Sequence, residues 1–99
     1  RAPYCASKGG LINLARALAV EWAPLRIRVN SISPTYVVTE TNAQLLAGAP
    51  FAEDIARNMP LGRPVTPEEV AAGICYLASP AAEGVTGHNL LIDGGWTAR

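Results

Sequence analysis

Tyr4 and Lys8 stand four residues apart near the start of the chain, a spacing that puts both side chains on one face of a helix. Lys8 is the only lysine; every other basic residue is arginine. An unperturbed phenol has a pKa of about 10 and is a poor base near neutrality. A nearby positive charge favours the phenolate and brings it toward the range where it exchanges protons with an alcohol or a carbonyl. On its own the pair is better explained as a helix-surface lysine beside a partly buried tyrosine.

The elements that must position these residues can be read from pattern. Pro3 suits a first helical turn, and Leu11, Leu14, Ala15, Leu18 and Trp22 recur at three and four residues, giving one apolar stripe. Pro24 stops that helix. Arg26–Ile32 reads as a strand with β-branched Ile27, Val29 and Ile32, ended by Pro34. From Thr35 to Pro64 the pattern loosens, with short helices expected around Thr41–Leu46 and Ala52–Asn58. A loosely patterned insert of this length is commonly a lid or a disordered segment.

Thr66-Pro67-Glu68-Glu69 carries a capping threonine, a proline at the first helical position and a glutamate three residues after the cap. Val70, Ile74, Leu77 and Ala78 continue that helix, and Ser79-Pro80 ends it. Asn89–Ile92 reads as a second strand, closed by Asp93-Gly94-Gly95. Two strands joined through a helix are expected to lie parallel with a right-handed crossover. Two strands are too few for an independent sheet, and the chain opens almost inside a helix without a methionine. We therefore expect a C-terminal fragment of a longer protein.

Composition bounds the partners. The chain has 99 residues, 49% hydrophobic and 16% charged, with eight basic residues against eight acidic ones and a formal net charge of zero. Neutrality without a basic run argues against nucleic acid or an anionic membrane surface as main partner. The longest uncharged stretch, Val70 to Ala82, falls well short of the about 20 residues a spanning helix needs. Cys5 and Cys75 are too few for a disulfide framework, and we expect small buried thiols in a reducing cytoplasm.

Several short motifs recur in a fixed order: Tyr4-Cys5-Ala6-Ser7-Lys8-Gly9-Gly10, Arg28-Val29-Asn30-Ser31-Ile32-Ser33-Pro34, Thr39, Pro60-Leu61-Gly62-Arg63, Pro67-Glu68-Glu69-Val70-Ala71, Leu77-Ala78-Ser79, Thr86-Gly87 and Asp93-Gly94-Gly95. Each is unspecific, but the ordered set strongly resembles the short-chain dehydrogenase/reductase family. The resemblance implies an α/β fold: residues 1–99 as the C-terminal portion of one doubly wound, parallel-sheet (Rossmann-type) NAD(P)-binding domain, with 35–64 as a substrate lid.

It further implies a cytoplasmic oxidoreductase that interconverts a secondary alcohol and a ketone by hydride transfer with NAD or NADP, the isolated fragment being inactive. In that reading Tyr4 is the general acid/base, while Lys8 bonds the nicotinamide-side ribose and lowers the tyrosine pKa. Pro34, Thr35, Val37 and Thr39 seat the nicotinamide, and Thr35, Tyr36 and Asn42 are substrate candidates. Small-molecule alcohols or ketones are the expected partners. The family also implies a homo-oligomer, tetramer or dimer, with Ile74, Leu77, Leu90, Leu91 and Trp96 as interface candidates. The ending Asp93 to Arg99 is similar to sugar or sugar-acid dehydrogenases, while much of the rest is shared with reductases of 3-oxoacyl thioesters.

The glycine-rich phosphate loop, the family's catalytic serine and a relay asparagine would fall upstream of residue 1. Thr35 stands where the family usually has glycine, which motivates an alternative: a non-catalytic dinucleotide-binding or assembly module of the same fold. Ser7 is expected to hydrogen-bond locally, His88 to be structural rather than a metal ligand, and Glu68 and Glu69 to serve the helix start.

Overall fold

The structure is a computed structural model describing residues 1–98; Arg99, the last residue of the sugar-dehydrogenase-like ending, lies outside the described residues. The chain divides into two compact units, Arg1–Ser31 with Cys75–Leu90, and Ile32–Ile74 with the segment from Leu91 onward.

The first unit begins with α1 (Ala2–Trp22), which carries proline in its opening turn as expected. Only part of the apolar stripe is covered. Leu11 and Leu14 are more than half exposed, whereas Ala19 is 3% exposed and Ile12, Ala15 and Leu18 are partly covered. Helical periodicity marks every apolar residue, but only those meeting a neighbour are buried; Ala19 sits where a Cβ on Gly87 would lie 3.4 Å away.

A short 3-10 turn (Ala23–Leu25) follows α1, and Arg26 adopts a left-handed conformation with φ 60°. That turn corrects the expected strand Arg26–Ile32: the strand is β1 (Ser31–Pro34). Residues before it pair partly through side chains: the Val29 amide donates to Thr86 Oγ1 at 3.1 Å, while the Val29 carbonyl accepts the Gly87 amide at 2.7 Å.

Asn30 replaces backbone pairing most completely. Its Nδ2 donates to the Val85 carbonyl at 2.9 Å and its Oδ1 accepts the His88 amide at 3.0 Å. Arg28 is the second brace, donating to the carbonyls of Leu77 at 2.7 Å, Val85 at 3.3 Å and Ser79 at 3.4 Å. These bonds satisfy carbonyls at the end of α4 (Pro67–Ala78) and in the turn beyond it. Cys5 and Cys75 are free and exposed, not buried as expected, because α1 and α4 present those positions away from the residues they cover.

β2 (Asn89–Ile92) falls where the sequence places it and pairs with β1. The Ser31 amide donates to His88 O and the Thr35 amide to Ile92 O, so both chains advance in the same direction and the pair is parallel.

The second unit contains most of the buried apolar side chains. Leu46, Ile55, Met59 and Val65 form its core, with Tyr36, Val37, Val38, Phe51, Val70, Ile92 and Trp96 packed against them. The segment 35–64 is thus an ordered part of the core rather than a loose connector, and it includes α2 (Ala43–Ala47) and α3 (Phe51–Asn58). Glu53 and Asp54 in the first turn of α3 and Arg57 in its last turn complement the helix dipole. A parallel bridge ties Val37 to Val65, with the Val38 amide donating to Val65 O and the Val65 amide to Tyr36 O.

The capping box of α4 forms as read. The Glu69 amide donates to Thr66 Oγ1 at 3.1 Å, and the Thr66 amide donates to Glu69 Oε1 at 2.9 Å. Arg63 adds a two-pronged pair to the same carboxylate at 2.8 and 3.0 Å. This guanidinium, with the Thr66 amide, holds the Glu69 carboxyl down at about 2 from an ordinary 4.5. Among the described residues, no helix is long and apolar enough to cross a membrane.

Candidate active site

In the first unit, Tyr4 lies in the opening turns of α1 and is 54% exposed. Lys8, one helical turn on, holds its Nζ 5.7 Å from the centre of the Tyr4 ring, and the Arg1 guanidinium lies 5.3 Å from it. Both distances suit a cation against an aromatic face. Ser7 donates its hydroxyl to the Tyr4 carbonyl at 2.8 Å, the local bond expected of it. The result is an accessible phenol with two cations beside its ring.

In the second unit, the loop Pro34–Thr39 leaves the carboxyl end of β1. The Thr35 amide is fixed on Ile92 O at 3.3 Å, and its hydroxyl lies 4.0 Å from the sulfur of Met59, a side chain only 1% exposed. Asn42 braces the rest of the loop: Nδ2 donates to the Val37 carbonyl at 2.9 Å, and Oδ1 accepts the Thr39 amide at 2.6 Å. The hydroxyls of Thr39 and Thr41 are 3.1 Å apart. The Tyr36 hydroxyl donates to Asp54 Oδ2 at 2.7 Å. Two of the three substrate candidates, Tyr36 and Asn42, therefore direct polar groups to shaping the loop.

The C-terminal turn is organised by Asp93, which is buried at 8% exposure. Its carboxylate accepts the Thr97 hydroxyl at 2.8 Å, the Thr97 amide at 3.1 Å and the Gly95 amide at 3.0 Å. The Thr97 hydroxyl bond is the main cause holding this carboxyl below the usual carboxylate range, against the opposing effect of burial. The turn delivers Trp96 to within 6.0 Å of the Tyr36 ring, centre to centre, so Trp96 packs inside its own unit.

Sequence reasoning assigned no role to Arg28, Asn30, Asp54 or Met59. Arg28 and Asn30 stand in a quoted motif whose polar residues mark carbonyl braces. No local pattern points to Asp54 or Met59, whose partners Tyr36 and Thr35 lie far off in sequence.

Comparison with known proteins identifies the family. The profile of the family described as Enoyl-(Acyl carrier protein) reductase matches residues 1–97. The chain is 48% identical over 96 residues to an NAD-dependent glycerol dehydrogenase of Listeria innocua, covering 97% of this chain and 37% of that protein. It is 46% identical over 94 residues to a galactitol 2-dehydrogenase (L-tagatose-forming) of Cereibacter sphaeroides, covering 95% and 37%. The solved structure of 4-hydroxyisoleucine dehydrogenase complexed with NADH matches with a TM-score of 0.91 and 40% identity over 100% of this chain and 41% of that one. The chain belongs to the short-chain dehydrogenase/reductase family, and its α/β arrangement is a portion of that family's Rossmann-type fold. It spans 37% of the length of the glycerol dehydrogenase and of the galactitol dehydrogenase.

Proposed function

We propose that the complete protein carrying this chain is an NAD(P)-dependent oxidoreductase that interconverts a secondary alcohol, of the polyol or sugar type, with the corresponding ketone. The observation that carries the reading is the accessible Tyr4 phenol with the Lys8 ammonium 5.7 Å from its ring centre, in a chain of this family. Relatives named for glycerol, galactitol and D-arabinitol support the substrate class. Solved neighbours titled with NADH and with NADP support the cofactor.

The residues fit a nicotinamide cofactor: an exposed ammonium and phenol suit ribose hydroxyls, and the braced loop offers hydroxyls and backbone groups to a carboxamide. When bound, the cofactor supplies or accepts the hydride at the substrate carbon. Tyr4 takes the alcohol proton during oxidation and returns it during reduction. Lys8, one helical turn along the same face, holds the ribose. Pro34, Thr35, Val37 and Thr39 seat the nicotinamide, and 35–64 covers the substrate, with Thr35, Tyr36 and Asn42 shaping that cover. The rival reading, a binding module without turnover, rested on Thr35 in place of glycine. That hydroxyl has a partner of its own in the Met59 sulfur, so the substitution gives no reason to abandon turnover.

We also propose a homo-oligomer, supported by the exposed Ile74 and Leu91; Leu77, 9% exposed, is withdrawn from that patch. The free thiols of Cys5 and Cys75 support a cytoplasmic setting. The test is to incubate the purified complete protein with glycerol, galactitol and D-arabinitol, and with NAD or NADP, following absorbance of the reduced cofactor. Turnover with at least one of these polyols is expected; reduction of neither cofactor by any of them refutes the reading.

A further inference from the structure

The contacts around Tyr36 converge on a residue that nothing so far assigns a role. The Tyr36 ring packs edge-on against Phe51, with ring centres 6.1 Å apart, and tilted against Trp96 at 6.0 Å. Its hydroxyl reaches Asp54 Oδ2 at 2.7 Å, while Asp54 Oδ1 accepts a bond from the Asn58 side chain through Nδ2 at 2.6 Å. Asn58 lies one helical turn beyond Asp54 on α3, so its bond fixes the orientation in which the carboxylate meets the phenol. Both oxygens are thus engaged in different directions, one along α3 and one across to the loop. Ile55, the next residue, is 4% exposed and roots the helix in the core.

The acidic partner strengthens the tyrosine bond, because hydrogen bonds to an ionised group exceed neutral ones. Tyr36, Phe51, Asp54 and Arg57 also line one surface recess, so the contact forms part of a concave wall.

We propose that Asp54 is a positioning residue: through the Tyr36 hydroxyl it ties α3 to the loop Pro34–Thr39 and sets the shape of the segment that covers the substrate. This rests on the reading of 35–64 as that cover. Asp54 itself acts on substrate only through Tyr36. Loss of the tie lets α3 move away from the loop, weakening substrate capture more than the chemical step.

The test uses the complete protein with Tyr36→Phe, Asp54→Ala and the double variant. Tyr36→Phe keeps both ring contacts and removes one hydroxyl, so it guards against misfolding of the alanine variant. Amide hydrogen exchange over Phe51–Met59 is expected to accelerate roughly fivefold or more in each single variant, with no further gain in the double. KM for the polyol is expected to rise by roughly the same factor, with kcat changed less than about twofold and NADH affinity, read by fluorescence titration, unchanged. Unaltered exchange in both single variants overturns the tie, and altered exchange with unaltered KM overturns its role in capture. Exchange needs no turnover, so a protein inactive on every polyol would refute the proposed function while still deciding whether the tie exists.

Discussion

Gly94→Ala offers a quantitative test of how the second unit is packed. Gly94 has φ +61°, a region costing an L residue about 1–2 kcal/mol. A Cβ there would sit 2.7 Å from Met59 Cε, with Met59 Cβ at 3.6 Å and Arg63 O at 3.8 Å. Met59 is flexible in principle, but at 1% exposure it has little room to withdraw, and overpacking a filled core costs about 1–3 kcal/mol. The sum is about 2–5 kcal/mol. Gly62→Ala supplies the control: φ is +74° and nothing lies within 4 Å of the added carbon, so only the conformational cost of about 1–2 kcal/mol applies. Replacing Met59 by Leu removes the terminal methyl that the alanine meets and costs less than about 1.5 kcal/mol alone. Equilibrium denaturation of the complete protein with Gly62→Ala, Gly94→Ala, Met59→Leu and the Gly94/Met59 double variant measures each term. The double variant is expected to be more stable than the sum of its parts by about 1 kcal/mol. Equal costs for the two glycine variants, or strict additivity with Met59→Leu, would refute the packing described around Met59.

Two further outcomes follow from the braces. Glu69, held at about 2 by Arg63 and the Thr66 amide, contributes stability that is complete above its ordinary 4.5 and is lost as pH falls through its folded value. The carboxyl resonance of Glu69 should titrate near that low value and return toward 4.5 in Arg63→Ala; an unshifted titration in that variant would contradict the pairing. Arg28→Met, which keeps the apolar stem but removes the donors to Leu77 O, Ser79 O and Val85 O, should lower stability by about 1–2 kcal/mol in denaturant titration. An unchanged midpoint would remove Arg28 from the account.

Elements set by local chemistry were legible in the sequence. The Thr66/Glu69 capping box, the proline that opens α1 and the closing turn at Asp93 depend on residues a few positions apart, and each forms as read. The strand start was misplaced because Ile27 and Val29 have strand-forming side chains, while Arg26 takes a left-handed turn and the Asn30 side chain takes up bonds to Val85 and His88. The segment 35–64 looked loose because its core residues, Leu46, Ile55 and Met59, are spaced by short helices and turns rather than by one period. Of the proposed site, Tyr4 and Lys8 are marked by their spacing in the sequence. Asp54 and Met59 are not, since each matters through a partner 18 or 24 residues away.

The central claim is that the Tyr4 phenol carries the substrate proton. Tyr4→Phe in the complete protein, compared with the unmodified protein for steady-state turnover of a polyol and for NADH binding, addresses it most directly. The account predicts a fall in kcat of roughly 10²–10⁴-fold with NADH still bound, the range expected for loss of a general acid/base. Turnover within about threefold of the unmodified enzyme would contradict it.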